Sequence, residues 1–232
     1  MKASMNNHLN DILDVRKDSD DQESLTEQAY SLIEEMIVTL KLPPGASVSE
    51  ATLSTKTGIG RTPIRMALQR LEHQGLITSL PRKGAFIRQL KIEDELAILE
   101  IRRPVERMLA CKAARLATKA QRDNLRFCVD CMVQAAIAGD VHRYLHFDLE
   151  CDRIIYETSR NPFAIDFVAL LYVHSRRFWV AYSKEMDGIT IARLHSDMMN
   201  AVADGDEDRT TTALDALMDY LEQFCKKSMG FF

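Results

Sequence analysis

Residues 61–88 read RTPIRMALQRLEHQGLITSLPRKGAFIR, and their pattern decides the fold of the first part of the chain. Ile64, Ala67, Leu68 and Leu71 recur at spacings of three and four, which puts them on one face of a helix. Thr62 suits the cap of that helix and Pro63 its first position, where a missing N–H costs nothing. Gly75 suits its end. Leu76-Ile77-Thr78 and Ala85-Phe86-Ile87 then read as two short strands joined through Pro81-Arg82-Lys83-Gly84, a β-hairpin. Between Arg61 and Arg88 six basic side chains stand against Glu72 alone, so this stretch offers a phosphate backbone a positive surface.

Working outward, residues 25–42 (LTEQAYSLIEEMIVTLKL) place Leu25, Ala29, Leu32, Ile33, Met36, Ile37 and Leu40 at helical spacing. Pro43-Pro44-Gly45 stops that helix. Ser47 or Ser49 caps a short second helix anchored by Leu53, and Gly58 ends it. Three helices followed by a hairpin wing make a winged helix-turn-helix, expected over residues 25–90. In such a unit the third helix presents its N-terminal residues to the major groove. Arg61 and Arg65 share a face opposite the apolar stripe, and a guanidinium can hold guanine or a phosphate with two bonds. Thr62 can donate to a phosphate. Arg82 and Lys83 at the wing tip, with Gly84 letting the backbone approach closely, suit an adjacent phosphate or the minor groove.

The chain has 232 residues, 46% of them hydrophobic, and a net charge of −4. That sum looks wrong for a nucleic-acid binder until it is divided. Residues 25–90 carry eight basic and five acidic side chains, net +3, whereas residues 1–24 carry −3 and residues 91–232 carry −4. No apolar run reaches the length of a membrane span. Five cysteines, an odd and scattered number, point to free thiols in a reducing compartment, the cytoplasm. Residues 1–24 are polar and read as a flexible tail.

Beyond Arg88 every segment reads as helix: Ile92–Lys119 with Pro104 kinking or dividing it, then roughly 121–138, 141–159, 162–183, 189–203 and 209–227. Short connections favour an antiparallel all-α bundle over residues 91–232. The expected fold class is therefore mainly α, a winged helix-turn-helix followed by a helical bundle.

The segments PPGASVSEATLS (43–54), GRTPIRMALQRLEHQGLI (60–77) and PRKGAFI (81–87) resemble, in order and spacing, the DNA-binding domain of GntR-type transcription regulators. The resemblance implies DNA contacts at Arg61, Thr62, Arg65 and Gly84. Two departures are visible: Ala51 stands where a basic residue is common, and Gly60 replaces a Ser or Thr. The helical half resembles the FadR-like C-terminal ligand-binding (FCD) domain through LAILEIRRPVERMLACKAARLA (96–117), FDLECDRIIYETSRNP (147–162) and HSDMMNAVADGD (195–206).

Many members of that subfamily hold a divalent metal on an Asp and a His four residues apart and two further histidines. Here the positions fall on Asp148, Asp152 and His195, with Tyr220 nearest the last, so two imidazoles are missing. One carboxylate pair and one imidazole would favour Mn²⁺ or Mg²⁺ over Zn²⁺. Three readings stand: Asp148 and Asp152 share a cation, they bind hydroxyls or an amine of an effector beside Arg102, or the site is lost. Arg102 and Glu106 are either a plain i,i+4 ion pair or a pocket arginine for a carboxylate effector and its neighbour. Of Arg176 and Arg177, at most one faces inward. Cys128 and Cys131 read as packing residues.

The resulting expectation is a transcription regulator, a repressor that acts as a homodimer on a two-fold operator in double-stranded DNA. A small-molecule effector, an organic acid, would modulate it through Arg102, Asp148, Asp152, His195 and Tyr220. The competing class is a metal-dependent enzyme using Asp148, Asp152 and His195, against which the sequence shows neither a nucleophile–base pair nor a phosphate-binding glycine loop.

Overall fold

In the computed structural model, which describes residues 24–182 and 184–229, Ser24 opens the first helix by accepting the backbone N–H of Glu27. The expected tail lies, apart from Ser24, outside the described residues. Helix α1 (Leu25–Val38) sinks Ala29, Ile33 and Ile37 of the expected stripe and also Tyr30, while Leu32 and Met36 are partly covered, Leu25 is exposed and Leu40 lies beyond the helix end. It is followed by β1 (Ser47–Val48), α2 (Glu50–Thr57), α3 (Arg61–His73), β2 (Ile77–Leu80) and β3 (Gly84–Ile87). Ser49, rather than Ser47, caps α2 by accepting from the Thr52 N–H, and Gly58 ends it in the left-handed region.

Ser47 is instead the first residue of a strand. Strand β1 pairs antiparallel with β3, Ser47 opposite Phe86 and Val48 opposite Ala85. Strand β2 pairs on the other edge of β3 with Ile77 opposite Ile87 and Leu80 opposite Gly84. The wing is thus a three-stranded sheet, order β1-β3-β2. Its inner end carries Val48, Ile77 and Ile87 into the same apolar cluster as Ile33, Leu53, Ile64 and Leu71.

The second part of the chain contains six helices among the described residues: α4 (Ile92–Leu116), α5 (Lys119–Ile137), α6 (Val141–Ser159), α7 (Pro162–Tyr182), α8 (Gly188–Asp204) and α9 (Glu207–Ser228). Pro104 lies inside α4 without dividing it. Helix α4 packs against α6 and α9, α5 against α6 and α8, and α8 against α9. None of the described helices is long and apolar enough to cross a membrane.

The described chain falls into two compact units. One comprises the residues up to Lys91 together with Tyr172–Ala181, and the other Ile92–Leu171 with the residues from Tyr182 on. Within the first unit, Val173 joins the apolar cluster, His174 Nε2 meets the Gln74 carbonyl at 2.8 Å, and Arg177 donates to the Arg88 carbonyl. Arg177 is only 1% exposed, and Arg176 is half-buried with its Nη1 covered and its charge felt by the buried Glu34, so the expectation that at most one of the two faces inward does not hold.

Polar side chains tie the second unit together where helices end or meet. Arg103 of α4 reaches Asp219 at 2.7 Å and Glu222 at 2.9 Å on α9. Arg122 of α5 donates to the carbonyls of Ala114, Ala117, Val202 and Ala203, serving the C-terminal ends of two neighbouring helices whose last carbonyls have no partner within their own helix. Gly205 closes α8 at φ +79°, and a Cβ there would lie 2.7 Å from Arg122 Nη1. Gly205→Ala therefore strains the backbone and displaces this arginine, and is expected to cost roughly 1–3 kcal/mol in urea unfolding. An unchanged midpoint would contradict that role.

Candidate functional site

The rotation of α3 is set by Ile64, Ala67 and Leu71, all fully buried; Leu68 is only partly covered. With that face inward, Arg61, Thr62 and Arg65 are exposed. The helix starts two residues earlier than expected. Gly60 is its N-cap and makes no side-chain capping bond, so Thr62 is the second helical residue and not the cap. Pro63 is tolerated at the third position because N–H groups of the first turn have no partner inside the helix. A cap without a side chain leaves those N–H groups available to an oxygen from outside.

Arg65 is held by a residue that sequence reading missed. Its Nε donates to Glu50 Oε1 at 2.6 Å and its Nη2 to Glu50 Oε2 at 2.8 Å. Fifteen residues separate the two, and only the packing of α2 on α3 brings them together. Glu50 is held below its ordinary pKa, first by the bonds from Arg65 and also by Arg61. Arg70, in contrast, is used internally: it pairs with Glu27 at 2.8 Å and lies over the Tyr30 ring at 3.7 Å.

At the wing, Arg82, Lys83 and Gly84 are all exposed. Lys83 N–H closes the turn on the Leu80 carbonyl at 3.0 Å. Arg82 sits at φ +63° and Gly84 at φ +95°, the second of these a conformation side chains rarely adopt. Open space surrounds Gly84.

A second constellation lies in the helical unit. Tyr144, Asp148, Asp152 and Tyr156 recur every four residues and so share one face of α6. His195 of α8 donates from Nδ1 to Asp148 Oδ1 at 2.5 Å; an ionised carboxylate only accepts, so that nitrogen carries the proton. Burial pushes the His195 pKa down, but Asp148, aided by Asp152, outweighs it and raises the pKa above its usual value. Arg102 of α4 donates to Glu106 at 2.5 Å, with side chains only 7% and 12% exposed. Tyr156 is buried and feels Asp152, Glu106 and Arg102. The Tyr144 ring lies 6.4 Å from that of His195. Its hydroxyl is buried without a hydrogen-bond partner among the described residues.

Tyr220 does not join this cluster by any recorded contact. Its phenol lies beside Asp187, and burial, then the Asp187 charge, raises its pKa. Cys128 is buried against Cys151 of α6, which fits a packing role, and Cys131 is partly covered.

The residues present do not fit a resident zinc ion. Asp148 and His195 Nδ1 occupy each other, leaving His195 only its other nitrogen. Among the described residues no group of three His, Cys, Asp or Glu side chains is arranged to hold an ion. A catalytic or structural zinc needs at least three protein ligands.

A winged helix-turn-helix with an exposed basic reading face, followed by a helical bundle with a buried polar cluster, defines the class of one-component DNA-binding regulators. Two family models match: "Bacterial regulatory proteins, gntR family" over residues 25–87 and "FCD domain" over residues 97–220. The second alone takes in more than half of the chain, and the chain belongs to the GntR family of transcription regulators with an FCD domain.

It is 27% identical over 144 residues to an uncharacterized HTH-type transcriptional regulator of Agrobacterium vitis, covering 61% of this chain and 84% of that one. It is 28% identical over 97 residues to the HTH-type transcriptional repressor RspR of Escherichia coli, covering 42% of each. The fold matches that of Escherichia coli McbR/YncC with a TM-score of 0.78 at 19% identity, covering 90% of this chain and all of that one. The family assignment speaks for a regulator and not for the enzyme weighed against it.

The Arg102–Glu106 geometry makes a testable statement about energetics. Breaking a buried pair leaves a charge without its partner, so Glu106→Ala is expected to destabilise by about 3 kcal/mol. Lys226→Ala, at a solvent-facing pair with Glu222, is expected to cost less than about 1 kcal/mol. Paired chemical denaturation curves check the contrast, and equal losses would contradict it.

Proposed function

We propose that this chain represses transcription as a homodimer in the cytoplasm, reading operator DNA through α3 and the wing and releasing it when a small molecule occupies the helical unit. The observation that carries the DNA-reading part is the arrangement of Arg61, Thr62 and Arg65 on the exposed face of α3, with Arg82, Lys83 and Gly84 beyond it. One reading helix covers one half-site, so a two-fold pair of chains would read half-sites about 34 Å apart. Phe163, Phe167 and Leu170 stand 83%, 43% and 40% exposed along one face of α7, apolar surface suited to a second copy. The direction of control rests on relatives that are named repressors.

Arg61→Ala and Arg65→Ala are each expected to weaken operator binding by about 1–3 kcal/mol while leaving the thermal unfolding midpoint in place. Gel shifts of the full chain on a promoter fragment test this. Wild-type affinity in both variants would remove α3 from the reading surface.

The effector side is proposed for the face of Tyr144, Asp148 and Asp152 with His195 and Arg102, working without a resident metal. An organic acid would have to take Arg102 from Glu106. A hydroxylated or amino compound would be offered carboxylate oxygens at Asp148 and Asp152 and the Tyr144 hydroxyl, which has no hydrogen-bond partner among the described residues. Since that hydroxyl has no partner to lose, Tyr144→Phe is expected to leave the unliganded protein within about 1 kcal/mol of wild type. In a thermal-shift screen with excess chelator, the rise that wild type shows with a hydroxylated or amino compound should vanish in Tyr144→Phe. A large loss of unliganded stability, or a rise seen only with added metal, would contradict this reading.

A further inference from the structure

We propose that Glu50 is a positioning residue for base recognition: it clamps Arg65 side-on, so that the arginine offers its other edge to a guanine. The inference rests on the DNA-binding reading and deepens it by naming what fixes the specificity of α3. A guanidinium has two forks, Nε with Nη2 and Nη1 with Nη2. Glu50 takes the first of them completely, at 2.6 and 2.8 Å. The Arg65 side chain is nevertheless 58% exposed, and no bond to its second fork is recorded among the described residues. That second fork is the one that matches O6 and N7 of guanine end-on.

The clamp itself is held by the fold. Glu50 is the first residue of α2, directly after the Ser49 cap. The turn from α2 to α3 is fastened by Ser54 Oγ donating to the Ile59 carbonyl at 2.7 Å, and Leu53 and Ile64 seat both helices in the core. Swinging of a long side chain is thereby replaced by one fixed plane.

The alternative role for Arg65 is a phosphate contact, and the geometry argues against it. A phosphate needs only charge within reach, and a carboxylate beside the arginine lowers the positive potential that attracts it. Placing Glu50 there weakens general attraction to DNA but orients the donors, a trade suited to discrimination between bases. Glu50 also lies close enough to Arg61 to feel its charge, so one carboxylate serves the whole reading edge.

The test uses the full chain and duplexes enriched from a random pool by the wild-type protein. Fluorescence anisotropy at one fixed salt concentration then measures each single base-pair replacement. For wild type, replacing one G·C pair per half-site is expected to cost about tenfold or more, and Arg65→Ala should reduce that loss to within about threefold. Glu50→Gln should reduce the same discrimination equally, while binding to an unrelated duplex becomes tighter. Glu50→Asp keeps the charge but shortens the reach; it should lose the discrimination without tightening unrelated binding. Thermal unfolding of each variant confirms an intact fold.

Three results overturn the proposal. If Glu50→Gln tightens every duplex by one common factor and keeps the discrimination, Glu50 is only a repulsive neighbour. If Glu50→Asp behaves as wild type, charge and not geometry matters. If the pool yields no enriched duplex at all, the DNA-binding reading itself fails and the inference goes with it; enrichment with unchanged discrimination removes the inference alone.

Discussion

The burial of Ile64, Ala67 and Leu71 is the constraint on which the reading face of this chain depends. A helix with one apolar stripe has one rotation that removes the stripe from water, and each of these side chains contributes roughly 1–3 kcal/mol to holding it there when it is large. Once that rotation is fixed, Arg61 and Arg65 have no choice but the outside. Everything else in the first unit supports the same surface: α1 forms the floor of the core, β1 anchors the sheet, and the wing extends from its end. The arginines are thus aimed by apolar residues that never approach DNA.

The helical unit works by a different balance. It buries charges, and buried charges are tolerated only in pairs that satisfy each other. Arg102 with Glu106 and His195 with Asp148 are such pairs, contributed by three different helices. An aspartate at 152, where the family resemblance implies an imidazole, fits this arrangement better than it fits a zinc ion. Tyr144 and Tyr156 of α6 share this face, the Tyr144 hydroxyl without a hydrogen-bond partner among the described residues.

Much of the fold was legible because punctuation residues act locally. Gly58, Gly75 and Gly205 stop elements by their own backbone chemistry, and α6 runs over the residues expected from periodicity alone, whereas α1 ends at Val38, short of the Pro43-Pro44 pair expected to stop it, with Leu40 already in the left-handed region. Strand β1 was not legible: two residues carry no period, and only the partner strand makes Ser47-Val48 a strand. The cap of α3 was misassigned for a related reason, since Thr62 has the right side chain but the chain turns helical one residue before it, at Arg61. In the site, the stripe 144-148-152-156 was readable from spacing yet was overlooked beyond its carboxylates. The Glu50–Arg65 pair was beyond reach, because residues 15 apart meet there only through packing; Asp148 and His195, 47 apart, were brought together by the family resemblance and not by spacing. The same holds for Tyr172–Ala181, whose share in the first unit no local pattern announces.

The central claim is that α3 and the wing form the DNA-reading surface. Amide hydrogen exchange of the full chain, with and without an enriched duplex, addresses it at the backbone itself. The account predicts slowed exchange on adding the duplex at residues 61–66 and 80–84, where first-turn N–H groups and the wing tip meet phosphates. Protection confined to the helices beyond residue 91, with no change in those two stretches, would contradict it.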